Sequence, residues 1–417
     1  MIKRLWKLHD YLDIVDVTKE TNLKLRGKLL QCFTNYDFYK APQGVMFLSF
    51  LFHLNDNFIP TLHSAIKQEI PFAPKALLEK FGEVYFSAWQ KSTGTTRKII
   101  EDKCIQNLMH QAAVAPRTGD PNMSTILLKV LRYIHNKKEQ TGVDLMLHEL
   151  YSPFLWRYLR APHSEVRANC ASILMDVFPL TTDEKESSDD LMQEQYEFLL
   201  CLLKDPNHGV RLIAVKGVFN ILYLCWELLP LTALNGILVV LIKDLSCDSS
   251  SDNIRQAVIQ GFTSLIDNPQ TFPVLQPILP QLKFSIHDSS EKVRIAVMEL
   301  LLKIKHVRTF KYWTVIPIKH ILAHLNITES MPVKRRIMKL MFRSFFPIDQ
   351  DEDHQVDRLV TLIEMNTDAC RHFIKSFPQY MTVAETGNGL ISYTPVTLKR
   401  GTYCAVAVIQ NGLEVLV

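Results

Sequence analysis

His320 and His324 stand four residues apart in a predicted helix, the spacing with which zinc proteases hold their metal. The residues between them are Ile321, Leu322 and Ala323, so no glutamate is placed to act as a base, and the pair reads as ordinary buried or surface histidines rather than ligands. The eight cysteines, at 32, 104, 170, 201, 225, 247, 370 and 404, form no Cys-x-x-Cys pair and mostly sit in apolar helical runs, which predicts buried free thiols. A phosphate-cradling glycine-rich loop with its lysine is absent, as is a Gly-x-Ser-x-Gly elbow. Asn388 lies between Gly387 and Gly389, but no helix start follows. The expectation is therefore a non-enzymatic chain with no catalytic residue, cofactor, metal or small-molecule substrate.

A different chemistry, the binding of a polyanion, is open to the basic residues. Net charge is only +4, but it is unevenly spread. Residues 283–343 hold 13 Lys and Arg against four acids, a balance of +9, whereas residues 176–205 hold nine acids against two lysines, a balance of −7. On a helix from Val333 to Phe345, a step of about 100° per residue puts Arg335, Arg336, Lys339 and Arg343 in one arc, opposite Val333, Ile337 and Leu340. Such a row can track a phosphate backbone, and Lys303, Lys305, Arg308, Lys311 and Lys319 can extend it. Taken by itself the row reads as a solvated helix face rather than a binding surface.

These residues need elements to hold them, and the elements repeat. Five aliphatic-basic pairs, Val166-Arg167, Val210-Arg211, Ile254-Arg255, Val293-Arg294 and Val333-Lys334, recur at intervals of 44, 44, 39 and 40 residues. A period of about 40 to 47 residues marks HEAT-type helical hairpins. Each pair opens a helix with apolar residues three and four apart, as in Val293, Val297, Leu300, Leu301 and Ile304. The turns Asp205-Pro206-Asn207, Ser250-Ser251-Asp252 and Asp288-Ser289-Ser290 offer side-chain oxygens to the first amides of three of these helices. First helices are predicted at 191–203, 231–241, 272–284 and 312–325. A hairpin of this size cannot bury its own apolar face, so it stacks on its neighbours into an all-α, armadillo-like superhelical solenoid. Arg167, Arg211, Arg255 and Arg294, with Lys334 in the same position, then read as a structural ladder bridging to an acidic residue of the adjacent turn.

Residues 1–160 carry the same texture with weaker repeats and are read as degenerate hairpins; 161–380 hold the well-marked repeats. The acidic segment Thr181 to Asp190, with Ser187 and Ser188, is expected to be a flexible loop. Residues 381–417 hold four of the 14 glycines and only four charged residues, and are expected to form a poorly ordered non-helical tail or a loose hairpin. The apolar run Phe219 to Ile242 reaches bilayer thickness, but Glu227 and Pro230 interrupt it in register with the repeats, so no membrane span is expected. Charged residues from Lys3 to Asp13 break up the first 15 residues, so no signal peptide is expected there, and with the unpaired cysteines a reducing compartment is expected.

Several segments resemble the HEAT-repeat G subunits of the condensin II complex. They are YSPFLWRYLRAPHSEVRANCASILMDVFP (Tyr151 to Pro179), LLKDPNHGVRLIAVKGV (Leu202 to Val218) and HDSSEKVRIAVMELLLKIKHVRTFKYW (His287 to Trp313), with weaker similarity in VYFSAW (Val84 to Trp89) and PVKRRIMKLMFRSFFP (Pro332 to Pro347). Family members begin upstream of Met1 and continue with further repeats past residue 380, so the chain resembles an internal fragment or truncated isoform. The resemblance implies a nuclear, chromosomal scaffold for mitotic chromosome condensation and segregation. It implies binding to the kleisin subunit, linkage through it to the pair of structural-maintenance-of-chromosomes ATPases, and sequence-independent contact with double-stranded DNA in chromatin. With it, the cations from Lys303 to Arg343 become DNA-contact candidates. The alternative is a generic HEAT adaptor of the nuclear-transport or phosphatase-scaffold type, without DNA binding.

Overall fold

Every well-marked repeat opens its second helix in the same way. Val166, Val210, Ile254, Val293 and Val333 are each the third residue of a helix, in Ser164–Val177, His208–Leu224, Asp252–Leu265, Glu291–Lys305 and Met331–Phe345. The last four are fully buried and Val166 is half-buried. A shared register of this kind arises when one aliphatic side chain per repeat must enter a seam between neighbouring hairpins. The computed structural model describes residues 2–120, 122–182, 185–347 and 350–375, and the backbone of 396–397, 403–409 and 412–416. Apart from these last three strands the elements are helical, which makes the fold an all-α HEAT-repeat solenoid. Two compact units divide the chain, Met1–Val218 and Phe219–Val417.

In the first unit, Leu78–Lys91 packs on Met123–His135. The two backbones approach so closely that a Cβ on Gly82 would lie 2.1 Å from the carbonyl oxygen of Val130. Only glycine fits there. A π-helical stretch, Ile100–Ile105, lies between the helices Gly94–Ile99 and Gln106–Val114. Widening the turn buries Ile100, Cys104 and Ile105 together with Glu101, whose carboxylate accepts from Trp89 Nε1 at 2.7 Å. Pro153 separates the helix Val143–Tyr151 from Leu155–Leu159.

In the second unit, Asp252–Leu265 packs on Glu291–Lys305, which packs in turn on Met331–Phe345. The first helices are less regular than their periodicity suggests. Phe272–Ile278 gives way to the 3-10 helix Leu279–His287, because Pro277 and Pro280 remove amide donors that an α-helix needs. Residues 312–325 split at Ile316-Pro317 into Tyr312–Val315 and Ile318–Ile327. Leu231–Val239 ends in the π turn Val240–Asp244. No helix among the described residues is long and apolar enough to cross a membrane, and Glu227 is exposed.

Three expectations are corrected. The acidic segment is helical from Lys185 onward, as the start of Lys185–Leu203, because Leu191, Gln195 and Tyr196 continue an amphipathic pattern that anchors the polar turns before them. Cys201 and Cys247 are exposed rather than buried, on the outward side of their turns. Ser251 and Ser290 do not cap their helices; Asp248 and Asp288 accept from the amides of Ser250 at 2.9 Å and Ser290 at 2.8 Å instead, while Asn207 caps as expected on Val210. In the tail, Val396–Thr397, Tyr403–Ile409 and Gly412–Leu416 form an antiparallel sheet with Val406 opposite Val415; residues 381–395 lie outside the described residues.

Candidate nucleic-acid interface

The basic helix Met331–Phe345 starts where Ser330 Oγ accepts from the Val333 amide at 3.3 Å, with Pro332 in the first turn, where it has no donor to lose. Val333, Ile337, Leu340 and Met341 are buried. At about 1.5–3 kcal/mol for each large apolar side chain, their burial fixes the rotation of the helix and so decides which residues face out. Arg335, Lys339 and Arg343 are exposed.

Lys305, at the end of the preceding second helix, reaches this helix from beneath. Its Nζ donates to the Leu340 carbonyl at 2.7 Å and the Lys339 carbonyl at 3.4 Å. Burial, and then the neighbouring charges of Arg343 and Lys339, push the Lys305 pKa down. These three cations therefore lie close together, with Lys305 acting as a brace. Lys339 and Arg343 have no side-chain hydrogen bond or ion pair among the described residues.

Other candidates divide by their partners. Arg336 donates to Glu299 at 2.9 Å and Lys303 to Asp267 at 2.6 Å, so both are engaged within the fold. Lys311 lies 5.8 Å from the Trp313 ring centroid, in a cation–π arrangement. Arg308 and Lys319 are exposed, on the turn after Glu291–Lys305 and on Ile318–Ile327.

The ladder residues have definite places. Arg167 closes on Asp205 through Nε at 2.7 Å and Nη2 at 2.9 Å, and Arg255 closes on Asp288 at the same two distances. Hydrogen bonding to Asp205 and to Asp288 raises the pKa of Arg167 and of Arg255. Asp288 is pushed up by burial but more strongly held down by the hydrogen bonds from Arg255 and Ser290, so its pKa is lowered overall. Arg211 Nη1 donates to the Asp205 and Pro206 carbonyls at 2.7 and 3.1 Å, and Arg294 Nη1 to those of Asp288 and Ser289 at 2.7 and 2.9 Å. Lys334 is half-buried and makes no ion pair among the described residues.

Residues 31–182 match the family described as "Condensin II non structural maintenance of chromosomes subunit". Condensin-2 complex subunit G2 of Xenopus laevis is 41% identical over 374 residues, covering 89% of this chain and 32% of the relative. The same subunit of Homo sapiens is 39% identical over 373 residues, with the same two coverages. The chain is a homologue of the condensin II G subunits. It spans about a third of the length of the curated relatives it matches.

In this condensin II G homologue the two spaced histidines form no ligand set. His324 is buried, with neither ring nitrogen hydrogen-bonded among the described residues; burial, with the charges of His287 and Arg294, lowers its pKa to about 4. His287 lies 5.2 Å from His324 and 5.9 Å from His320 between ring centroids. No group of three or more His, Cys, Asp or Glu side chains among the described residues is placed to hold a metal. Sequence reasoning missed the inward role of Lys305 and the identity of the carboxylates in the ladder. The spacing of Asp205 and Asp288, each five residues ahead of an aliphatic-Arg pair, carries the second signal.

Proposed function

We propose that this chain is part of a non-catalytic scaffold subunit of condensin II, acting in the nucleus on mitotic chromosomes. In this reading its stacked helices hold a segment of the kleisin subunit and so join the ATPase pair, while the basic helix Met331–Phe345 contacts double-stranded DNA without reading sequence. The observation that carries the DNA part is the pairing pattern of the cations. Lys339 and Arg343 are exposed and uncommitted among the described residues, over a third cation, Lys305, held under them by helix carbonyls. Three like charges held together disfavour the isolated state and favour a phosphate backbone, whose counterions they release on binding. In this reading the row on Met331–Phe345 contacts phosphates, and such contacts position the chain without specifying sequence. The kleisin and chromosomal parts are supported by the likeness to condensin II G subunits.

Two captures from one preparation test the reading. The full chain and its Lys339→Glu/Arg343→Glu variant are incubated with the condensin II kleisin and with a random DNA duplex. The variant is expected to keep the kleisin and lose the DNA. Equal loss of both assigns the helix a structural role only, and retention of DNA removes it from the interface.

A further inference from the structure

The arginine ladder has one rung without its anion. Arg167, Arg255 and Arg294 take the same pose, each the fourth residue of its helix, with Nη1 on carbonyls of the turn just before: Ala161 and Pro162 for Arg167, Asp248 for Arg255, Asp288 and Ser289 for Arg294. The other edge of the guanidinium, Nε and Nη2, then points to the next repeat. For Arg167 and Arg255 it meets Asp205 and Asp288, five residues ahead of Val210 and Val293. Five residues ahead of Val333 the chain has Thr328.

Threonine supplies neither the charge nor the two acceptors of the aspartate. Arg294 Nε is buried with no hydrogen-bond partner among the described residues, and so is Thr328 Oγ1. His324, one turn earlier and joined to Thr328 by its carbonyl at 3.0 Å, is 4% exposed, with both ring nitrogens orphaned. The His324 ring meets that of His287 with centroids 5.2 Å apart, and Arg294 Nη1 is held by the carbonyl of the next residue, Asp288, so the two side chains are anchored to adjacent residues of one turn. Glu329, next in the chain, is exposed, and Ser330 carries the capping role that Asp288 shares in the preceding turn. An unpaired buried polar group costs about 1–3 kcal/mol, and here three side chains leave theirs around the place where two other rungs hold a carboxylate.

We propose that Arg294, His324 and Thr328 form a binding site for a carboxylate from outside the chain, as borne by an aspartate or glutamate side chain of a partner polypeptide. The guanidinium edge grips both oxygens, as it does within the Arg167 and Arg255 rungs, and the Thr328 hydroxyl and a ring N–H of His324 donate to the remaining lone pairs. Arg294 as a whole is half-buried, whereas its Nε, the Thr328 hydroxyl and the His324 ring nitrogens are buried, so the carboxylate enters from the Arg294 side as the turn around Thr328 opens. A carboxylate seated there favours protonated His324, so its arrival raises the pKa of that ring.

The test uses the full chain with arginine and histidine side chains labelled for NMR. Sodium acetate and the blocked peptide acetyl-Gly-Asp-Gly-amide are titrated separately at constant ionic strength. A saturable shift of the Arg294 Nε–H resonance is expected, with the His324 titration moving up from about 4. Binding of both probes shows that a carboxylate alone suffices, and binding of the peptide alone shows that the flanking backbone is needed; either supports the site. Thr328→Asp closes the rung from within and is expected to abolish the titration while raising the thermal midpoint. Arg294→Lys is expected to weaken binding at least about tenfold, because an ammonium cannot grip both oxygens. No saturable shift with either probe, or an undiminished shift in Thr328→Asp, overturns the proposal.

Discussion

Replacing Asp288 by Asn keeps the shape of a complete rung and removes its charge. The Arg255 and Asp288 side chains are 13% and 10% exposed, so solvent screens their two contacts little. A hydrogen bond to a charged group is worth about 1.5–3 kcal/mol net and a neutral one about 0.5–1.5; the amide oxygen can still accept from Arg255 Nη2 and Ser290, as one carboxylate oxygen does now, but the bond from Arg255 Nε is lost. A loss of about 1–2 kcal/mol is expected, or roughly a 5- to 30-fold rise in opening of the helices that the rung joins. The sign with pH follows from Asp288 itself. Its pKa is lowered in the folded chain, so its contribution is fully present above the unfolded value of about 4 and is lost as pH falls through the lower folded value. Wild type and variant should differ at pH 7 in urea midpoint and in hydrogen exchange across Asp252–Leu265 and Glu291–Lys305, and their midpoints should converge below about pH 4. Equal midpoints at pH 7, or a gap that persists in acid, refutes the reasoning.

Three further outcomes are expected. Gly82→Ala should lower the thermal midpoint of the first unit by the equivalent of about 1–3 kcal/mol, because the new Cβ meets the Val130 carbonyl at 2.1 Å; a calorimetric scan reads it. Trp89→Phe removes the 2.7 Å donor from Glu101, whose same oxygen keeps Arg97 Nε at 3.2 Å, and should cost about 1 kcal/mol, read as a lower urea midpoint. Lys305→Met removes a half-buried cation along with its bonds to two carbonyls, so hydrogen exchange in the middle of Met331–Phe345 should accelerate while the exchange of Asp252–Leu265 stays unchanged.

Much of the fold was legible because one constraint repeats. Val210, Ile254, Val293 and Val333 must each enter a seam, and a spacing near 40 residues exposes that demand in the bare sequence. The arc of Arg335, Lys339 and Arg343 followed from the same helical period. Irregular turns were less legible. The π stretch at Ile100–Ile105 and the 3-10 helix Leu279–His287 keep apolar residues near helical spacing while changing the backbone beneath them, so periodicity does not report them. Charge counting also treats every lysine alike. It cannot tell Lys303, which is tied to Asp267 36 residues earlier, from Lys339, since pairing depends on which helices become neighbours.

Equilibrium binding of a fluorescent DNA duplex at stepped salt concentrations bears most directly on the basic helix as a phosphate-tracking surface. Log affinity should fall linearly with log salt and equally for two unrelated sequences, with the slope becoming shallower by about one for each of Lys339→Ala and Arg343→Ala and staying the same for Lys303→Ala. Affinity indifferent to salt, or a slope that Lys303→Ala changes as much as Arg343→Ala, would contradict it.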